Sequence, residues 1–211
     1  LTIVQFFGSF SGHLPIQSVK NVLPPGTLSK IFGYIPAKVI ILFVVSHFLK
    51  IRKDTAMSVT VGTKAPQFTL VDTTKTPRSP LSESAGKKVV LLFYPGAFTG
   101  VCDKEMCNFR DSMSAYNTLN AQVIGISVDS PWANKAFADH YKLNFPLLSD
   151  FDRTVIKQYG IVFEGLGGIK GYTVAKRAVY VIDEKGVVKY AWVTDTPGVE
   201  PPYDEVRKAI A

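Results

Sequence analysis

From residue 57 onward, short apolar runs alternate with amphipathic stretches. Lys88 to Tyr94 carries Val89-Val90-Leu91-Leu92-Phe93 without a break, and Ala121 to Val128 carries Val123-Ile124-Gly125-Ile126-Ser127-Val128. Continuous apolar runs of this length predict strands whose two faces are both covered. Phe68 to Val71 reads as a shorter strand, followed by a polar, proline-containing loop from Asp72 to Pro80. Arg177 to Ile182 and Val187 to Val193 predict a hairpin across Asp183-Glu184-Lys185-Gly186. Glu164-Gly165-Leu166-Gly167-Gly168 reads as a flexible loop that either borders a pocket or simply links elements.

Between the strands the period changes. Cys102, Met106, Phe109, Met113 and Tyr116 recur at helical spacing, which predicts one long helix from Cys102 to Leu119 with Cys102 at the head of its buried stripe. Cys107 falls roughly 140° away from Cys102, off that stripe. Ser130, with Pro131 at the first helical position, predicts a capped helix to about Tyr141. Asp150 or Asp152 caps a short helix ending at Gly160, and Tyr203 to Ala211 closes the chain as a helix. Strands alternating with helices, then a hairpin and a final helix, predict an α/β domain with a central mixed sheet flanked by helices.

Residues 1–56 differ in kind, being apolar and aromatic with scattered Gly and Pro. This predicts two parts, a leader over 1–56 and a folded domain over 57–211. Ile31 to Leu49 is the best membrane candidate, but its uninterrupted core is Val39 to Val45, with Lys38, Ser46 and His47 beside it. A spanning helix wants about 20 mostly apolar residues. If it spans, Lys50, Arg52 and Lys53 keep the domain on the cytoplasmic side. A targeting or partner segment, or upstream sequence before Met57 that is no part of the mature protein, are the other readings. The leader also holds most of the charge, a net +5 of the chain's +7. The rest has interspersed charges and no basic block, which argues against a nucleic-acid partner. Two cysteines in 211 residues make no disulfide framework and fit a reducing, cytoplasmic compartment.

The chemistry centres on Cys102. It follows the Lys88–Tyr94 strand and a Pro/Gly turn, in the first turn of the predicted helix. Free N–H groups and the positive end of a helix favour a thiolate there. Thr99 lies three residues earlier, where its hydroxyl could cap the helix and reach the sulfur. On an intact helix the Cα atoms of Cys102 and Cys107 stand about 8–9 Å apart, beyond the roughly 7 Å that a disulfide spans. Pairing them requires local unwinding. A plain buried cysteine is the bland alternative. A zinc site lacks ligands, with two cysteines and the scattered His13, His47 and His140 available. A thiol–disulfide oxidoreductase would normally show C-x-x-C, where this chain has C-x-x-x-x-C.

Pro95-x-x-x-Thr99-x-x-Cys102 resembles the active-site signature of the peroxiredoxins, thiol peroxidases on a thioredoxin-like fold. The resemblance runs from about Val61 to Ala211. It includes Gly62-Thr63-Lys64-Ala65-Pro66-Gln67-Phe68-Thr69-Leu70, Phe145-Pro146-Leu147-Leu148-Ser149-Asp150, Gln158-Tyr159-Gly160, and Arg177 ahead of Val179-Tyr180-Val181-Ile182-Asp183. It implies that Cys102 attacks the peroxide and becomes a sulfenic acid. Thr99 would orient the peroxide and Pro95 pack over the sulfur. Arg177 would be the permanent cation, and the N–H groups of Val101 and Cys102 further donors. Glu105 would orient Arg177, or be merely a favourable first-turn acid.

Cys107 resembles the resolving position of the bacterioferritin-comigratory (Q-type) subgroup, while Ala97-Phe98-Thr99-Gly100-Val101-Cys102 also resembles the one-cysteine AhpE-like subgroup. The resemblance further implies hydrogen peroxide and organic hydroperoxides as substrates, a thioredoxin- or glutaredoxin-type reductant, a homodimer, a role in antioxidant defence, and no metal or cofactor. A non-catalytic, membrane-tethered redoxin-like binding module is the competing class.

Overall fold

The computed structural model describes residues 59–211. The leader over 1–56, its membrane candidate and the boundary at Met57 lie outside the described residues. Among the described residues no helix is long and apolar enough to cross a membrane.

The elements run in chain order as β1 (Leu70–Asp72), β2 (Pro77–Arg78), α1 (Pro80–Glu83), β3 (Lys88–Phe93), α2 (Gly100–Asp111), α3 (Met113–Thr118), β4 (Ala121–Ser127), α4 (Pro131–Tyr141), β5 (Leu147–Ser149) and α5 (Thr154–Gln158). They continue as β6 (Val162–Glu164), a 3-10 turn (Leu166–Gly168), β7 (Thr173–Ala175), β8 (Arg177–Ile182), β9 (Val188–Thr194) and α6 (Tyr203–Ile210). Seven strands form one sheet in the order β2-β1-β5-β4-β3-β8-β9, and β6 and β7 pair separately. The sheet is mixed: β3, β4 and β5 are parallel, while β8 runs antiparallel to β3.

The unbroken run in β3 is explained by its two covered faces. Val89, Leu91 and Phe93 join one core with Tyr159 of the α5 end and Val174 of β7. Val90, Leu92 and Tyr94 join the other with Met106 and Phe109 of α2, Phe137 of α4 and Val206 of α6. The period of two along a strand sends alternate side chains to opposite layers. Gly125 in β4 permits the close approach of β5, since a Cβ there would stand 2.5 Å from Leu147 Cδ2.

Several expectations need correction. The first strand is displaced to Leu70–Asp72, and the Asp72–Pro80 loop folds back into the edge strand β2. Asp72 Oδ1 accepts the N–H groups of Thr74 and Thr76 and closes that turn, and the Pro77 in β2 is tolerated because edge strands leave one side unpaired. The long helix starts at Gly100 and breaks at Ser112, dividing into α2 and α3. The apolar stripe survives the break, for Tyr116 is buried with Cys102, Met106 and Phe109. Leu147–Ser149 is a further short strand. The Glu164–Gly168 stretch lies within a hairpin, β6 pairing with β7, where Gly165, Gly167, Gly168 and Gly171 take the positive φ that the connection requires.

The caps fall close to expectation. Ser130 Oγ accepts the Ala133 N–H at 3.2 Å. Both acids near α5 are used: Asp150 accepts from Val155 and Ile156, and Asp152 from Thr154.

Candidate active site

Strand β3 delivers the chain to Tyr94-Pro95, and the loop through Thr99 turns it into α2. Because β8 is antiparallel to β3 and pairs Ala178 with Phe93, Arg177 enters at the same end of the sheet. Residues 75 positions apart thereby meet: Arg177 Nη2 donates to Cys102 Sγ at 3.4 Å. Nη1 donates to Glu105 Oε2, and the Pro197 carbonyl accepts from Nη2 at 2.7 Å and Nε at 3.3 Å. Cys102 and Glu105 are 0% exposed and Arg177 1%, so water does not screen these charges.

Pro95 is buried over this end of the strand, and Thr99 is an exposed N-cap with extended backbone. The Thr99 hydroxyl does not cap α2; it donates to the Gly96 carbonyl at 2.9 Å. That corrects the expected capping bond. Val101 is half-buried in the first turn, where its N–H and that of Cys102 have no carbonyl one turn back to bond. Cys107 is half-buried, off the stripe, and both thiols are free. His140 is exposed on α4.

Burial pushes the Cys102 thiol above its usual value; the Arg177 cation pulls against it, followed by the Thr99 hydroxyl and the Gly96 N–H, while Glu105 adds to the rise. The thiolate preference expected from the helix start is therefore opposed by the closed site itself. Burial also raises Glu105, to about 7, against the opposing pull of Arg177. For Arg177 the balance is reversed: burial lowers it, but the charges of Glu105 and Cys102 win and hold the guanidinium protonated. Thus Arg177 is the fixed cation, and two acidic groups compete for it.

Two neighbours were not anticipated. Tyr172, in the β6–β7 connection, brings its Oη to 3.6 Å from where a Gly96 Cβ would stand; burial raises its phenol, and the charges of Asp129 and Cys102 add to this. Asp129, just past β4, accepts the Ala97 N–H through Oδ2 at 2.8 Å. In the sequence, Asp129 announced itself only as an acid beside a helix cap and Tyr172 as an aromatic in a glycine-rich loop. Phe98 is also notable, with φ of +59°. Its ring is 52% exposed yet packs against Phe137 of α4 at 5.2 Å.

A buried cysteine at a helix start, bonded to a buried guanidinium on a thioredoxin-like sheet, defines a thiol-based redox enzyme. The AhpC/TSA family model matches residues 61–191. The chain is 43% identical over 136 residues to a peroxiredoxin bcp of Coxiella burnetii, covering 64% of this chain and 89% of that protein. It is 42% identical over 143 residues to the chloroplastic peroxiredoxin Q of Sedum lineare, covering 67% of this chain and 74% of that one. The crystal structure of peroxidoxin BcpB from Mycobacterium tuberculosis superposes with a TM-score of 0.64 at 32% identity, covering 72% of this chain and 96% of that chain. The chain belongs to the AhpC/TSA family, and with it to the thiol-dependent peroxidases called peroxiredoxins.

Proposed function

We propose that Cys102 is the peroxidatic cysteine and Cys107 the resolving one. The Cys102 thiolate attacks the near oxygen of ROOH. An S–O bond forms, the O–O bond breaks, and the departing RO⁻ takes a proton to leave as ROH. Sulfur is oxidised to the sulfenic acid as the peroxide is reduced. The Cys107 thiolate then attacks that sulfur. The S–O bond breaks, hydroxide leaves as water after taking a proton, and a disulfide remains. An external dithiol of the thioredoxin or glutaredoxin type returns both thiols by exchange, itself becoming a disulfide.

The observation that carries this reading is the Arg177 guanidinium held between the Cys102 sulfur and the Glu105 carboxyl in a site closed to water. A fixed cation beside the reacting sulfur holds the thiolate charge and stays in place as that charge passes to the departing oxygen, without reorganising. Pro95 shields the sulfur, the N–H groups of Val101 and Cys102 are the donors assigned to the peroxide, and the Thr99 hydroxyl orients it by turning its proton away from the Gly96 carbonyl. Glu105 orients Arg177. We assign this activity to residues 57–211, on hydrogen peroxide and small organic hydroperoxides, in a cytoplasmic homodimer, as antioxidant defence.

The deciding experiment is intact mass after one equivalent of hydrogen peroxide, beside Cys102→Ser and Cys107→Ser. The expected result is loss of two hydrogens in the parent, no change in Cys102→Ser, and one added oxygen in Cys107→Ser. An added oxygen without a disulfide in the parent removes Cys107 from the mechanism. No change at Cys102 in any sample removes the peroxidase reading and favours a binding module.

A further inference from the structure

Beneath the Pro95–Thr99 loop lies a chain of polar side chains that the chemistry above does not use. Asp129 Oδ2 accepts the Ala97 N–H at 2.8 Å, in the middle of the loop. It also accepts from Ser127 Oγ at 2.9 Å. The Asp129 carbonyl in turn accepts from Ser149 Oγ of β5. Ser127 Oγ also lies 3.1 Å from Asn134 Oδ1, the atom that accepts from Tyr94 Oη at 2.8 Å. Asn134 Nδ2 donates to the Leu148 carbonyl. Tyr94, Ser127 and Asn134 are all fully buried. Tyr94 is the residue before Pro95, so one network grips the loop both at its start and at its centre.

The loop needs that grip. Phe98 holds a left-handed backbone, an arrangement that a bulky residue keeps only when its surroundings impose it. A charged acceptor strengthens a bond to a backbone N–H, and here both Asp129 and Ala97 are half-buried. The two chemical steps make opposite demands on this tie. Peroxide reduction needs Pro95, Thr99 and the first turn of α2 closed around Cys102. Disulfide formation needs that first turn to open, because both cysteines lie on α2.

We propose that Asp129 is a positioning residue which, through the Ala97 N–H, holds the Pro95–Thr99 loop closed over Cys102 and so sets the partition between peroxide reduction and disulfide formation. The proposal rests on Cys102 reacting first and Cys107 second. Its signature is that the two steps move in opposite directions when the tie is cut. A merely structural role would slow both or neither.

The test uses the full chain with hydrogen peroxide in rapid-quench single turnovers read by intact mass. Parent, Asp129→Asn and Asp129→Ala are compared, each also with Cys107→Ser so that oxidation of Cys102 is timed alone. In Asp129→Ala the oxidation constant should fall roughly tenfold, the fold-change of one lost hydrogen bond, while disulfide formation after oxidation speeds up severalfold. Sulfinic acid at excess peroxide should fall accordingly. Asp129→Asn keeps an acceptor of the same shape and should shift the two constants in the same opposed directions as the alanine variant, by less; it also reports if the alanine variant does not fold. Constants that stay at parental values, or that fall together in the asparagine variant, overturn the proposal. A parent that keeps its mass in peroxide instead overturns the proposed function and this inference with it. A parent that cycles, with variants that show no opposed shift, overturns the inference alone.

Discussion

Arg177 and Glu105 are 72 residues apart in the chain and form an ion pair from which water is excluded. The carboxyl nonetheless sits close to its midpoint at neutral pH, being raised to about 7. Burial outweighs the pairing for the acid and the pairing outweighs burial for the base, so the cation is permanent and the anion conditional. Among the described residues the Glu105 Oε1 atom has no hydrogen-bond partner, which fits a carboxyl that is poorly compensated as an anion.

Removing the cation should therefore cost twice. Arg177→Met strips the donor from Cys102 and leaves Glu105 buried alone. Loss of one preorganised donor slows such reactions by roughly 10²–10³, and breaking a buried pair from one side destabilises by about 3–5 kcal/mol. Arg177→Met with Glu105→Gln should recover much of the stability but none of the rate. Thermal unfolding beside the rate of Cys102 oxidation decides this; recovery of both together would contradict it.

Stability should depend on pH through Glu105. Its carboxyl is raised from 4.5 to about 7 in the folded protein. Below pH 4.5 both states hold the proton and the group contributes no dependence. Between 4.5 and about 7 the folded state retains a proton that the unfolded state releases, so stability falls as pH rises. Asp150, also raised, chiefly by burial, adds the same sign and is common to parent and variant. Melting curves from pH 5 to 8 should show a steeper decline for the parent than for Glu105→Gln, roughly the window that 4.5 to about 7 defines; parallel declines would refute the assignment.

The same substitution should act on the thiol. Glu105 is one of the charges that raise Cys102, although burial is the largest cause. Glu105→Gln should move the Cys102 ionisation to lower pH, visible as thiolate absorbance and as faster alkylation at fixed pH in a Cys107→Ser background. A shift to higher pH would show that the loss of orientation in Arg177 dominates.

Gly125→Ala tests how tightly β4 and β5 are apposed. The new Cβ would meet Leu147 Cδ2 at 2.5 Å, and overpacking of this kind costs about 1–3 kcal/mol. Leu147→Ala in the same chain should return part of that loss even though it removes buried surface. Simple additivity of the two losses in chemical denaturation would disprove the contact.

The sheet was legible where both faces are buried, for β3 and β4 reveal themselves as unbroken apolar runs. Helix α4 was legible from its cap, since Ser130-Pro131 is a local signal. The place of Cys102, buried at a helix start, was legible because its stripe and its turn are local too. Glu105 was not, for a first-turn acid on the surface and one buried against Arg177 look alike until the partner across the sheet is known. The β6–β7 hairpin was hidden by length, because strands of three residues joined through glycines show no period. Asp129 and Tyr172 depend on the loop they touch, and nothing in their own neighbourhoods records it.

The break at Ser112 makes α2 a separate melting unit. Helical hydrogen bonds are lost cooperatively, each released turn easing the next, and fraying that begins at Gly100 would run on through a continuous helix. Here it meets a boundary after 12 residues. Just before that boundary Arg110 Nη1 is bonded to the Tyr141 carbonyl at 2.6 Å, and the Arg110 carbonyl to Asn144. The segment that carries both thiols can thus uncoil like a spring fixed at its far end, while α3 stays seated on the sheet and supplies the abutment for its return.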